Sequence, residues 1–387
     1  MPISRTRGAG FRMENVSQHH PGPVGANPLP VHLFVNNFKW GGGMERFVMD
    51  VSTGVRDLGR DVRVQARKVD ARVARKLGIA VQAHPVWAFP RRLRTWTLHR
   101  RIGRLLPGLA GVQIALATVP ARDLMVCAGT HRGYLRRTGR RPGLFDRLQI
   151  HVEHASYHFP RRVVSFSRLC ARELTELYGV AEDRITVLYP PVGTSFTPAS
   201  DESERQRHRR TLGLPEQGVV ILFPSTGHSR KGLDPICDAL VRMSSPPILA
   251  IAGNPPGHRR QGLRMPDGRP APIQFLGYIE DMETAYRAAD FTILGSTYEP
   301  FGMVGPESVL CGTGLVFEEG IGCLEAVDPS VVTTFSIRDR DSIQRAIAAS
   351  VELARKGLHR VGDPAGTVRY DPRPTSYAKA LLEVAEG

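Results

Sequence analysis

Cysteine is scarce in these 387 residues: five, at Cys127, Cys170, Cys237, Cys311 and Cys323, an odd number without a C-x-x-C pair. That usage argues against a disulfide framework or a zinc ribbon and fits a reducing cytoplasm. Long apolar runs are missing too, and nothing approaches the roughly 18 to 20 residues of a membrane span. The N-terminal stretch lacks the apolar core of a secretory signal, and residues 1–29 are expected to form a disordered tail. Acids are outnumbered, 37 against 52 Lys and Arg, and from Ala71 to Arg122 there are none, against ten cations. A net charge of +15 calls for an anionic partner: nucleic acid, an acidic lipid surface or a phosphorylated substrate. Nucleic acid is not expected, because no zinc module or RNP-type aromatic pattern accompanies the charge.

What is present is periodic. VHLFVNNF (31–38) reads as a strand, Gly41 to Gly43 as a turn, and Met44, Phe47, Val48, Val51 and Val55 recur at helical spacing before the strand-like DVRVQA (61–66). This is a βαβ unit. A second begins at VVILFPS (219–225), passes a helix near Leu233 to Met243 and resumes at PILAIAG (247–253), with IQFLGYI, DMETAYRAAD and FTILGS extending it. The fold class is therefore α/β. We expect an N-terminal Rossmann-like domain over 30–192, a polar linker over 193–218, a C-terminal Rossmann-like domain over 219–374 and a final helix over 375–387. Such chains bind ligands beyond the carboxyl ends of their strands and between their domains.

Two loops then carry the chemistry. EPFGMVGPE (299–307) follows the strand FTILGS, so Phe301, Gly302, Met303 and Val304 form its exit loop and Glu307 lies just inside the next helix. Gly302 permits close approach of a ligand, and the free amides at the helix start suit a phosphate. Glu299 and Glu307 could accept hydrogen bonds from sugar and ribose hydroxyls. A turn residue and a favourable helix-start charge are the plainer reading, which the Pro and Gly context outweighs. STGHSRKG (225–232) brings Arg230 and Lys231 from another strand end. Two such cations would hold a diphosphate, each charge-assisted bond contributing roughly 1.5 to 3 kcal/mol; otherwise they are solvated loop charges. Gly42 and Gly43 open a helix and are candidates for an acceptor or phosphate loop, or for a structural turn.

Taken in order, GGGMERFVMDVSTGVRDLGRDVRV, VVSFSRLCARELTELYGVAEDRITVLYPPVG, ILFPSTGHSRKGLDPICDAL and IQFLGYIEDMETAYRAADFTILGSTYEPFGMVGPESVLCGTGLVF resemble the landmark segments of family 4 retaining glycosyltransferases. NNFKWGGGMER, SRKGLD and LYPPVG look most like the lipopolysaccharide-core glucosyltransferase branch. The resemblance implies a GT-B fold, two Rossmann-like domains facing across a cleft, the N-terminal one binding acceptor. It implies a nucleotide diphosphate sugar as donor, a glycan or lipid-linked acceptor, and no cofactor or metal. Glu299 would bind the donor sugar, Glu307 the ribose, Lys231 the phosphates, and the amides of Phe301 to Val304 the sugar and diphosphate. Many members carry an arginine five positions before that lysine, where this chain has Thr226; either Arg230 takes over its charge or phosphate is held more weakly. The family's N-terminal domain contributes a residue near the reacting carbon, for which His131 in CAGTHRGY is the candidate, a structural histidine being the other reading.

Rival signals are weaker. His151, His154 and His158 in HVEHASYH share a helix face without a fourth metal ligand. Asp339 and Asp341 in RDRD stand where a helix begins, so capping accounts for them. RRLRTWTLHRRIGRLL (91–106) is a partly amphipathic basic helix that could rest on anionic lipid at the inner face of the cytoplasmic membrane. A sugar nucleotide epimerase of the same fold and a basic nucleic-acid-binding protein remain as alternative functions.

Overall fold

The computed structural model describes residues 29–88, 90–254 and 262–387. Most of the expected N-terminal tail therefore lies outside the described residues. Seven parallel strands form the first sheet: β1 (Val31–Phe38), β2 (Val62–Val69), β3 (Ala80–Ala83), β4 (Val112–Ala115), β5 (Leu124–Cys127), β6 (Arg162–Ser165) and β7 (Ile185–Val187), in the order β3-β2-β1-β4-β5-β6-β7. Around it lie α1 (Gly43–Asp57), α2 (Ala71–Leu77), α3 (Arg94–Leu105), α4 (His131–Thr138), α5 (Leu144–His158) and α6 (Arg168–Tyr178). The central strands β1, β4, β5 and β6 are largely buried, as strands covered by helices on both faces are, whereas the edge strand β3 is mostly exposed.

The second sheet has six parallel strands: β8 (Val220–Ser225), β9 (Ile248–Gly253), β10 (Ile273–Gly277), β11 (Phe291–Leu294), β12 (Gly314–Glu318) and β13 (Val332–Phe335), in the order β10-β9-β8-β11-β12-β13. Its helices are α7 (Glu202–Thr211), α8 (Leu233–Leu240), α9 (Met282–Ala288), α10 (Val304–Leu310), α11 (Arg340–Arg355) and α12 (Pro364–Thr367). Strand order reverses beside β1 and beside β8, so each sheet has a topological switch point at the strand its βαβ unit starts from.

One boundary differs from expectation. Residues 193–218 are not a plain linker: they contain α7, which is capped by Asp201 and holds Arg209 fully buried against Asp290 of the second domain. The final helix α13 (Pro374–Glu386) returns to the first domain and packs on α1, where Tyr377 meets Phe47 edge-to-face at 5.6 Å. A Cβ at Gly54 would lie 2.4 Å from the Pro374 carbonyl oxygen, so that close crossing requires glycine. Asp339 accepts from the Asp341 amide at 2.9 Å and caps α11. No helix among the described residues is long and apolar enough to cross a membrane.

Candidate active site

The cleft between the two sheets has a volume of 730 Å³ and is lined from the carboxyl ends of eight strands: β1, β4, β5, β6, β8, β9, β10 and β11. The glycine turn 41–43 and the loop 298–304 face each other across it. A Cβ on Gly43 would be 3.6 Å from the Met303 sulfur, so the two loops nearly touch.

Arg230, Lys231, Glu299 and Glu307 all line this cleft. Lys231 Nζ is 3.5 Å from the Pro224 carbonyl oxygen. Burial holds its pKa below the ordinary lysine range; Arg230 acts in the same direction, while Glu299 and Glu307 oppose it. Arg230 donates to Glu299 Oε2 at 3.3 Å and to the Tyr298 carbonyl at 3.3 Å, and Ser296 Oγ donates to the same Glu299 oxygen at 3.2 Å. The loop cation and the motif's first acid thus form one unit. Thr226 also lines the cleft, its carbonyl accepting from the Asn254 side chain at 3.1 Å.

Glu307 is 5% exposed, on the first turn of α10. It accepts from Tyr286 Oη at 2.8 Å and from Arg46 of the opposite domain at 3.4 Å. Arg46 and Tyr286 were not singled out in the sequence. Arg46 had a signal, since it lies one turn beyond Gly42 in GGGMER, but its reach across the cleft is a tertiary fact. Tyr286 lies within DMETAYRAAD, where nothing local marks it.

Loop 298–304 is fastened to the first domain as well. Ser167 Oγ donates to the Pro300 carbonyl at 2.6 Å, and Tyr298 Oη donates to Glu173 at 2.7 Å while accepting from the Thr130 amide at 2.9 Å. The Phe301 ring stacks with Tyr189 at 5.8 Å and meets Phe166 edge-on at 6.5 Å, and its carbonyl accepts from the Cys323 amide at 2.7 Å. Gly302 has φ +89°, a conformation that by itself demands glycine, and a Cβ there would crowd Glu299 Cγ at 3.1 Å.

His131 does not join the site. It is the first residue of α4 and is absent from the cleft lining; its Nε2 pairs with Asp146 at 2.8 Å and its ring stacks near Tyr134 at 6.0 Å. The preceding Ala128 and Gly129 reach the cleft in its place. His154 and His158 stack on each other at 4.0 Å on α5, and no group of three His, Cys, Asp or Glu among the described residues is placed to hold a metal.

Asp50 on α1 adds an electrostatic feature beside Arg46. Its Oδ2 is buried without a hydrogen-bond partner, and burial pushes the carboxyl up to about 7; Arg46 opposes this, and Glu307 and Glu283 add to it. A carboxyl raised on folding stabilises the fold fully below its unfolded pKa, near 4, and that contribution is lost as pH rises through about 7. Asp50→Asn should therefore flatten the fall in stability between about pH 4 and 7, read as unfolding midpoints in denaturant across that range. Parallel pH curves for wild type and variant would contradict the assignment.

Two parallel-sheet Rossmann-like domains across a ligand cleft define the GT-B architecture, and the family matches that follow make the chain a glycosyltransferase. It belongs to glycosyltransferase family 4. Residues 41–196 match the model of Glycosyltransferase Family 4, and residues 204–360 match that of Glycosyl transferases group 1. A "Probable transglycosylase" of Burkholderia thailandensis is 37% identical over 366 residues, 92% of this chain and 97% of the relative. The D-inositol 3-phosphate glycosyltransferase of Geodermatophilus obscurus is 30% identical over 234 residues, 56% of this chain and only 51% of the relative. Among solved structures, WaaG, a glycosyltransferase involved in lipopolysaccharide biosynthesis, superposes with a TM-score of 0.77 at 15% identity, covering 92% of this chain and 100% of that one. HepE of Anabaena, in complex with UDP and glucose, gives 0.71 at 17% identity over 92% and 99% of the chains. At these identities the likeness is one of fold.

Proposed function

We propose that the enzyme moves a hexose from a nucleotide diphosphate sugar to a glycan or lipid-linked acceptor, with retention at the transferred carbon, in the assembly of lipopolysaccharide or another cell-surface polysaccharide. The observation that carries this reading is the convergence of Lys231, Arg230, Glu299 and Glu307 on one interdomain cleft opposite the glycine turn. In this reading the two cations serve the diphosphate, Glu299 the sugar and Glu307 the ribose. In the reaction the bond between the sugar carbon and the β-phosphate oxygen breaks, and a bond from that carbon to the acceptor oxygen forms on the same face. The acceptor proton passes to the departing diphosphate. Lys231 and Arg230 supply the positive charge that the leaving group needs, so transfer proceeds without a cofactor or metal and survives chelation. The first domain holds the acceptor, and the basic helix α3, with Arg100, Arg101 and Arg104 exposed, suits peripheral contact with an anionic membrane from the cytoplasmic side.

A calorimetric screen of nucleotide sugars, followed by product analysis with the one that binds, tests the proposal. Release of nucleoside diphosphate with a new glycoside supports transfer. An isomerised donor would indicate an epimerase, and transfer from a glycan without nucleotide would indicate a transglycosylase. Glu307→Ala should weaken donor binding about tenfold to a hundredfold, the loss of charged hydrogen bonds to one diol. Unchanged affinity would remove the ribose role.

A further inference from the structure

A second concavity, of 490 Å³, opens between α4 and α5 on the first domain and shares no lining residue with the cleft. Arg132, Arg136, Arg140 and Arg147 line it over a floor that includes Leu135 and Ile150, and no carboxylate is among its lining residues. From this we infer that it is a separate anion site, built for a phosphoryl or diphosphoryl group.

The four guanidinium groups are arranged rather than merely numerous. Arg132 donates to the Leu177 carbonyl at the end of α6, and its guanidinium lies 5.5 Å from the centre of the Tyr178 ring. Arg140 bonds Tyr134 Oη at 3.2 Å, with its guanidinium 5.8 Å from that ring's centre. Both are thus oriented by an aromatic residue outside the pocket wall, with donors to spare. Arg136 meets Glu176 at 3.3 Å, but both side chains are largely exposed, so the pair neutralises little. The Arg147 guanidinium has no hydrogen bond or ion pair within the described residues.

Nearby acid offsets only part of this positive charge, Asp146 acting on Arg140 and Glu176 on Arg136. Residues 131–150 contain six arginines and one acid, Asp146, and that carboxylate is taken by His131 Nε2 at 2.8 Å and the Gly143 amide at 2.9 Å. Four cations around one hollow repel each other, and a dianion with several acceptor oxygens relieves that repulsion while using the forked donors in pairs. The volume suits a diphosphate or a sugar phosphate. Gly129, two residues before α4, lines the main cleft. An eight-residue helix is about 12 Å long, so the pocket lies within roughly one such length of the cleft edge. The same phosphoryl chemistry is offered by a free phosphorylated sugar and by a lipid headgroup.

Isothermal titration of the full chain with inorganic pyrophosphate, in a Lys231→Ala background that weakens the cleft as a competitor, tests the site. The double variant Arg140→Glu/Arg147→Glu is compared with Arg72→Glu/Arg75→Glu on α2, an equal charge change elsewhere on the same domain. Affinity about tenfold lower in the first and little altered in the second supports the pocket. In a parallel arm, cosedimentation with phosphatidic acid vesicles against phosphatidylcholine vesicles identifies the source. Loss of vesicle binding in the pocket variant alone assigns a lipid headgroup, and pyrophosphate binding without selective vesicle binding assigns a free ligand. An equal loss in both double variants, or no binding of either probe by the parent chain, overturns the inference.

Discussion

Lys231→Ala is expected to lower turnover by a factor on the order of 10² to 10³. In the proposed reaction the departing diphosphate would gain negative charge as the glycosidic bond stretches, and Lys231 is a cation in a half-buried part of the cleft, with Glu299 and Glu307 in its electrostatic surroundings. In such a site an ammonium is worth more than in water because no solvent has to reorganise when the charge moves. The loss should therefore appear mainly in kcat, with donor affinity reduced less, since Arg230 still lines the cleft. Lys231→Arg should recover part of the rate. The lowered pKa adds a signature for the free enzyme: the alkaline limb of kcat/KM should begin below the pH of an ordinary lysine, whereas a bound diphosphate opposes the shift in kcat. Steady-state rates of nucleoside diphosphate release, measured with and without a chelator, check all of this. A variant turning over within a few-fold of wild type would remove Lys231 from the chemistry.

That the cleft could be anticipated at all follows from the kind of information its residues carry. β1 occupies residues 31–38, and β8 and β9 end at Ser225 and Gly253, where apolar runs give way to polar or glycine-rich loops. Loops after strands in such a sheet point to one side, so Arg230, Lys231, Glu299 and Glu307 could be placed together from local pattern alone. Arg46, Tyr286 and Tyr298 could not. Each acts through a partner 125 to 261 residues away or through a neighbouring element, and chain spacing does not record such pairs. His131 shows the opposite error. It follows an apolar strand in the expected way, yet Thr130 caps α4 by accepting from the Gly133 amide, and Asp146 holds the imidazole. Where Thr226 offers no charge, Arg230 lines the same cleft and bonds Glu299 at 3.3 Å with its side chain about half exposed.

The segment read as a linker supports the largest effect on stability. ESERQRHRRT has almost no apolar residue, and its buried member is an arginine, so no hydrophobic stripe marks α7 as part of a domain. Arg209 is 1% exposed and donates to Asp290 Oδ2 at 2.7 Å, to the Ala288 carbonyl at 2.9 Å, and to the carbonyls of Pro215, Glu216 and Gly218 at 3.0 to 3.3 Å. It thereby ties α7, the turn before β8 and the end of α9 to the start of β11. Asp290 is itself 3% exposed and also accepts from the Val220 amide at 2.7 Å and from Arg205 at 3.0 Å. Arg209→Ala strands a buried carboxylate with one partner fewer and leaves a cluster of carbonyls unpaired, which should cost about 3 to 5 kcal/mol. Arg209→Met restores most of the volume without the donors and should recover little, because the deficit is in hydrogen bonds and charge rather than packing. Denaturant unfolding followed by a probe in the second domain measures both variants. Activity per folded molecule should stay near wild type, since Arg209 does not line the cleft. A loss under 1 kcal/mol for Arg209→Ala would mean that water or Arg205 replaces the fork, and that α7 is attached far more loosely than its bonds imply.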